Sequence, residues 1–194
     1  MDRKILVIPS NYAFNINNGF SVSDPLSMKE LYNSIGRYKA LSEVEKNICL
    51  LKVSVMLLIT CKDKFLVKTL KDQKARPCLE IGYHSYVDTI TENNNILQSQ
   101  INAITKKYIP NFKAVDFTFL GYIRDLANAS TSTILGNVFS IDLPEEDDFI
   151  IKLFSTYNYK WYTKKQLIDN YQKATSWSKI IIDMIVDNSI ERFI

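Results

Sequence analysis

The sequence predicts an α+β fold in which helices cover a mixed β-sheet. Two groups of strand-like segments lie on either side of one long amphipathic helix, and an apolar helix follows the second group. No internal repeat or low-complexity tract interrupts this order. The chain of 194 residues is long enough for one domain with a sizeable core and a small N-terminal extension.

The first group of strands begins with KILVIP at residues 4–9, and two helical segments follow it. The second of these opens with Ser42 and carries Glu45 three residues later, which is the spacing of a capping box. Residues 51–61 are apolar and rich in β-branched side chains, so we expect a buried central strand. A KDK turn then leads into a hairpin partner, and residues 78–88 predict a further strand.

The long helix is predicted within residues 96–113, and Pro110 lies just past its expected end. The whole stretch contains no aspartate or glutamate. Apolar side chains recur at helical spacing and predict the face that packs on a core, at Leu97, Ile101, Ile104 and Tyr108. The opposite face is polar and carries Gln98, Ser99, Asn102, Thr105 and Lys106, with Lys107 beside it.

The second group of strands follows the long helix and ends the predicted sheet. Two long antiparallel strands are expected at residues 114–126 and 132–143, with a small polar loop between them. Two shorter strands, a short helix and a last helix follow, at residues 149–154, 159–163, 164–171 and 176–193, the last with Ser176 as its N-cap.

Composition and charge exclude several classes of protein. The net charge is +3, but the lysines are scattered, which argues against a nucleic-acid partner. Three irregularly spaced cysteines without a CxxC pair argue against zinc and a disulfide framework. Because no secretory signal and no bilayer-length apolar run is present, we expect a cytoplasmic protein without a membrane partner. Abundant Ile, Lys and Asn indicate an AT-rich genome, such as that of a low-GC bacterium or phage.

Three short segments resemble the Nudix hydrolases, and more narrowly their phosphoesterase-like branch. They are IGYH at residues 81–84, LGYIRD at residues 120–125 and SWSKI at residues 176–180. The resemblance implies an α+β fold with a Nudix-like mixed β-sheet sandwiched by helices. It also implies two parts, a strand and helical extension at residues 1–48 packed on a Nudix-like domain at residues 49–194.

The family signature is G-x5-E-x7-R-E-U-x-E-E-x-G-U, whose glutamates hold Mg²⁺ against a diphosphate. Oxygen ligands suit this hard cation, which neutralises phosphate charge and activates water. Gly82 matches the first glycine, and Asp88 falls where the first acidic residue belongs. No carboxylate occurs from Asn93 to Val115, so the rest of the signature fails in any register.

Two registers of the signature are open. Strict spacing places residues 96–97 at the R-E pair and residues 100–101 at the E-E pair. A longer loop places residues 102–103 and 106–107 there instead, and we prefer it because it keeps the apolar stripe intact. Either register predicts that the metal site is lost, so we expect no cofactor and no enzymatic activity.

Six residues are candidates for ligand binding. Lys106 and Lys107 would replace the metal by attracting phosphate, although lysines at a helix end are also common as solvated residues favoured by the helix dipole. Tyr83 would narrow the pocket or stack on a base, and His84 would contact phosphate; ordinary packing also accounts for both. The remaining two are Asp88 and Arg124. Asp88 is the nearby acid, which with Glu92 would give at most a weak metal site. Arg124 would clamp a phosphate with two hydrogen bonds, although an exposed ion pair or a strand-end charge also accounts for it.

Three functions are compatible with these residues. The first is an inactive Nudix-like domain that binds a nucleotide-derived, diphosphate-containing ligand as a sensor, sequestering protein or regulator. The second is a protein-interaction module with a vestigial pocket, which includes a homodimer. The third is a divergent Mg²⁺-dependent hydrolase of nucleoside diphosphate derivatives that uses Asp88, Glu92 or Asp125.

Overall fold

A computed structural model gives the fold. It describes residues 2–13, 16, 18–22, 25–71, 77–88, 96–108, 117–145 and 158–187. The chain divides into two compact units. The first unit comprises residues 1–56, 84–104 and 121–138, and the second comprises residues 57–83, 105–120 and 139–194. The domain boundary expected at residue 48 stays a prediction.

The elements confirm the predicted α+β class. In chain order, the strands are β1 Lys4–Pro9, β2 Gly19–Ser21, β3 Arg37–Ala40, β4 Leu50–Cys61, β5 Lys64–Lys71, β6 Pro77–Ile81, β7 Tyr83–Tyr86, β8 Thr118–Arg124, β9 Ile134–Asp142 and β10 Asn158–Thr163. The helices are α1 Pro25–Ile35, α2 Leu41–Val44, α3 Ile96–Tyr108, α4 Lys164–Asp169 and α5 Ser176–Val186, and 3₁₀ turns cover Ser10–Ala13 and Tyr171–Lys173.

In the first unit, β1 lies between β3 and the start of β4 and is antiparallel to both. Val7 stands opposite Lys52 in the ladder with β4. β2 pairs antiparallel with the end of β8, where Gly19 stands opposite Arg124. Ile5, Val7 and Val44 form a buried cluster of this unit, which partly buried neighbours extend, namely Leu41, Leu50 and Tyr86.

A buried polar chain also holds the first unit together. The Tyr32 hydroxyl donates to Asn137 Oδ1 at 2.8 Å, and Asn137 Nδ2 donates to the Ser54 carbonyl at 2.9 Å. Burial raises the pKa of Tyr32 well above its usual range, so the hydroxyl keeps its proton and acts as a donor. These bonds satisfy polar groups that burial would otherwise penalise.

In the second unit, β5 is antiparallel to β6, to β10 and to the end of β4. The hairpin between β4 and β5 turns at Lys62, which adopts a φ of 56°. α5 docks on β6 because the Ile81 amide donates to Ser178 Oγ at 2.9 Å. The Thr175 amide donates to the Leu79 carbonyl at 2.9 Å and fixes the start of that helix.

Two predicted helix caps are wrong. Ala40 is the N-cap of α2 and makes no side-chain cap bond, whereas the Ser42 hydroxyl donates to the Asp2 carboxylate. The N-cap of α5 is Thr175, because its extended backbone lets the side chain accept from the Ser178 amide. Both errors are small shifts in position, which periodicity does not resolve.

Two further predictions differ in part from the structure, and a third concerns residues that the structure does not describe. The strand expected over residues 78–88 is broken at Gly82 into β6 and β7. Arg37 and Tyr38, the end of the first expected helical segment, belong to β3 instead. The strand expected at residues 149–154 lies outside the described residues. None of the helices in the described part of the chain has the length and apolar character needed to cross a bilayer.

Candidate functional site

Gly82 sets the direction of β7, the strand that carries most of the candidate site. Its φ is +75°, in the left-handed region that favours glycine, and it ends β6. A Cβ at this position would lie 2.7 Å from the Leu57 carbonyl oxygen. This close approach is a local reason for glycine at position 82, which matches the first glycine of the signature.

Asp88 lies two residues after β7 and is held by Arg3. Arg3 Nε lies 2.6 Å from Asp88 Oδ1, and Arg3 Nη2 lies 2.8 Å from Asp88 Oδ2. The backbone positions these side chains because Ile5 of β1 forms an antiparallel bridge with Asp88. Both oxygens of this acid are therefore engaged by one guanidinium, the geometry that arginine prefers with carboxylates.

The ring of Tyr86 has two cations and an imidazole around it. The Arg3 guanidinium carbon lies 5.9 Å from the ring centroid, and Lys52 Nζ lies 5.7 Å from it. The His84 ring meets Tyr86 edge to face, with centroids 5.5 Å apart. Cation–π attraction stabilises such an arrangement, and the strand period places His84 and Tyr86 on one side of β7.

His84 is neutral at physiological pH. Burial first, and then the positive charges of Arg3 and Lys52, lower its pKa from 6.5 to about 4. The imidazole therefore has one N–H donor and one acceptor nitrogen above pH 5. It can form hydrogen bonds with a ligand, but it does not add a positive charge to the site.

The carboxylate-free helix is confirmed over Ile96–Tyr108, and its apolar residues Ile101 and Ile104 are buried. The polar face differs from the prediction, because Ser99 and Thr105 are buried too. Gln100 is also buried and links the helix to β7. Its Nε2 donates to the Tyr86 carbonyl at 3.1 Å, and its Oε1 accepts from the Asp88 amide at 3.2 Å.

Arg124 lies at the end of β8 in the same unit as His84 and Asp88, and it is largely buried. Burial lowers the pKa of its guanidinium, which remains charged at neutral pH. Asp125 beside it is buried, and its Oδ2 accepts from Thr131 Oγ1 at 2.7 Å. This carboxylate therefore caps the loop after β8.

The other candidates belong to the second unit. Tyr83 begins β7 and is half-buried. Lys106 and Lys107 lie in the last turn of α3, as the helix prediction requires, but their side chains are outside the described part of the structure. Glu92, the second acid considered for a metal, lies outside the described residues altogether.

The residues present do not fit the Mg²⁺ site that the Nudix resemblance implies. Among the described residues, no three His, Cys, Asp or Glu side chains converge as a metal site requires. Asp88 already gives both oxygens to Arg3, and Gln100 has an amide where strict spacing asks for a carboxylate. A hard divalent cation prefers carboxylate oxygens, so this donor set is too weak and too positive.

The sequence reasoning missed Arg3, Lys52, Tyr86 and Gln100. One of them had a visible signal, because Lys52 is the one charged residue in the apolar run at residues 51–61. A charged residue in a strand predicted to be buried calls for a specific partner or a function. Nothing local marked Arg3, because its contact with Asp88 depends on strand pairing between distant segments.

Comparison with known proteins supports the fold. No protein-family model matches the chain, and no curated protein sequence matches it. The structure is similar to that of Tm1382, a candidate Nudix hydrolase, with a TM-score of 0.77, 14% identity and coverage of 95% of this chain and 98% of that one. A mutT/nudix family protein from Listeria innocua gives a TM-score of 0.51 at 10% identity, covering 73% and 96%. The chain has a Nudix-like fold, as the three short segments predicted.

Proposed function

We propose that this chain is a catalytically inactive Nudix-like domain that binds a nucleotide-derived, diphosphate-containing ligand without hydrolysing it. It would act in the cytoplasm as a sensor, a sequestering protein or a regulator. The observation that carries this proposal is the two-point contact between Arg3 and Asp88. The Arg3 guanidinium supplies the positive counter-charge of Asp88, which is the one acid of the Nudix signature that the chain retains.

The contact argues against hydrolysis in two ways. A divalent cation near Asp88 would have to displace Arg3 and then share the site with a positive charge. Repulsion between such charges a few ångströms apart amounts to a few kcal/mol at an effective dielectric near 20. Without the cation, nothing among the described residues lowers the pKa of an attacking water in the way a metal does.

The same charges favour a phosphate ligand. Arg3, Lys52 and Arg124 all belong to the first unit, and diphosphate oxygens are strong acceptors for such donors. The proposed phosphate contacts of the first unit are His84 and Arg124, with Asp88 positioning Arg3. Tyr83, Lys106 and Lys107 of the second unit stay predicted ligand contacts.

Thermal unfolding in metal-free buffer tests the proposal. The full chain is titrated with ADP, ADP-ribose and a dinucleoside polyphosphate, and at least one is expected to raise the unfolding temperature. The same compounds are then incubated with the protein in Mg²⁺ or Mn²⁺, and no product is expected. Asp88→Asn removes the charge of this acid and keeps its size, so it is the matched control for any hydrolysis that depends on Asp88.

Three results would count against inactive ligand binding. Turnover that requires Mg²⁺ and is lost in Asp88→Asn would show a divergent hydrolase. The absence of any ligand-induced shift would remove the binding role. A discrete oligomer by light scattering, together with that absence, would favour the interaction module.

A further inference from the structure

Lys52 is a buried lysine in the middle of the first unit. It follows Leu51 and precedes Val53 on β4, and only 8% of Lys52 is exposed. Its backbone amide donates to the Thr133 carbonyl at 2.9 Å, so the strand fixes its position. A lysine with this exposure covers its apolar stem and keeps its ammonium at the water-facing end.

The ammonium group keeps its contact with water, because Nζ is not one of the fully buried polar atoms. Its recorded side-chain contact is the Tyr86 ring, with Nζ 5.7 Å from the centroid. Among the described residues, no carboxylate lies within salt-bridge distance of this Nζ. A cation–π contact contributes roughly 0.5–1 kcal/mol where the cation is hydrated, so the described part of the fold does not neutralise this charge.

Among the described residues around Tyr86, Lys52 is a cation without a carboxylate partner. Arg3 already holds both oxygens of Asp88. Burial raises the pKa of Tyr86, and the charge of the exposed Glu45 raises it further. His84 is neutral and contributes no charge. The described part of the cluster therefore contains a positive charge, on Lys52, that an incoming anion would neutralise.

We propose that Lys52 is the anchor for a phosphoryl group of the ligand, with its ammonium on the phosphoryl oxygens beside the Tyr86 and His84 rings. This inference rests on the proposed function and adds a specific contact to it. An ammonium is a compact point charge with three donors and suits a phosphoryl oxygen. The ligand would supply the counter-charge that the described residues do not give this lysine.

The test uses the full chain, inorganic pyrophosphate and ADP, with calorimetry in metal-free buffer. Lys52→Met keeps the length and the apolar stem but removes the charge. We expect the pyrophosphate Kd to rise about 10- to 100-fold, which is the usual loss for a charged hydrogen bond. The unfolding temperature of the free variant should change by less than about 2 °C, because the ammonium is hydrated and methionine keeps the buried stem.

Two controls complete the design. Lys39→Met removes an exposed lysine from β3 of the same unit and should change neither quantity. Lys52→Arg keeps the charge and should retain pyrophosphate binding within a few-fold. These variants separate the loss of one particular charge from a general change in net charge.

An unchanged pyrophosphate Kd in Lys52→Met would overturn the anchor, and ADP binding by the unmodified chain would then leave the proposed function standing. A fall of more than about 2 °C in the unfolding temperature of free Lys52→Met would also overturn it, since Lys52 would then serve packing against Tyr86. If the unmodified chain binds neither pyrophosphate nor ADP, the anchor and the proposed function fail together.

Discussion

Arg3 and Asp88 are 85 residues apart in the chain and form a two-point ion pair of 2.6 and 2.8 Å. The pair joins the start of β1 to the end of the segment after β7. It converts the one acid retained from the Nudix signature into a structural group, because both of its oxygens are engaged. The candidate site is therefore organised around positive charge, which suits phosphate more than metal.

Removing this pair should cost little stability. Both side chains are partly exposed, at 46% and 35%, so Arg3→Gln and Asp88→Asn should each lower the free energy of unfolding by at most about 1 kcal/mol. Urea unfolding of the two single variants and the double variant gives the coupling energy. High salt should reduce that coupling, and a salt-independent coupling above about 2 kcal/mol would contradict the assignment of a partly solvated pair.

The stability of the protein should depend on the protonation of His84. The pKa of this residue is about 4 in the folded chain and 6.5 in a free histidine, so the unfolded chain binds more protons between these values. Its contribution to stability is fully present above pH 6.5 and is lost as the pH falls towards 4. The loss is about 3 kcal/mol, from roughly 1.4 kcal/mol per pKa unit.

Two measurements check this pH dependence. Urea unfolding of the unmodified chain should weaken between pH 7 and pH 4 by about 3 kcal/mol more than that of His84→Gln. His84 is the only histidine, so its imidazole NMR signal reports the pKa directly. Lys52→Met should raise that pKa because one of the charges that lower it is removed. A titration near 6.5 in the unmodified chain would refute the buried, neutral imidazole.

The buried bond between Tyr32 and Asn137 should be important for stability. Tyr32→Phe leaves the Asn137 amide oxygen without its 2.8 Å donor in a buried position, so the free energy of unfolding should fall by about 1–3 kcal/mol. Tyr12→Phe is the matched control because Tyr12 is half exposed. It should change stability by less than about 0.5 kcal/mol. Equal effects of the two substitutions would show that the buried chain is not stabilising.

Gly82 should not tolerate alanine. A methyl group there would sit 2.7 Å from the Leu57 carbonyl oxygen at a φ of +75°, so Gly82→Ala should lose about 1–3 kcal/mol of unfolding free energy. Gly19→Ala offers a comparison, since its φ is +109° and no atom lies within 4 Å of the added carbon. Chemical denaturation of both variants should show the larger loss at Gly82; the reverse order would contradict the role of close approach.

Much of the fold could be read from local pattern. The apolar run of β4, the hairpin into β5 and the amphipathic helix α3 were predicted close to their observed positions, because period and length decide them. The break at Gly82 was not, since a single glycine in a strand-like segment leaves bulge, turn and continuation equally open. The caps of α2 and α5 were misplaced because neighbouring Ser and Thr side chains compete for the same role.

Local patterns specify most of the sheet and helix segments, the Nudix-like character of three short motifs and the absence of carboxylates from the long helix. These properties follow from period and residue type within short stretches. The contact of Arg3 with Asp88 and the position of Lys52 beside Tyr86 and His84 appear in the folded chain alone. Such contacts follow from which strands pair and in which register, and that choice depends on burial summed over the whole chain.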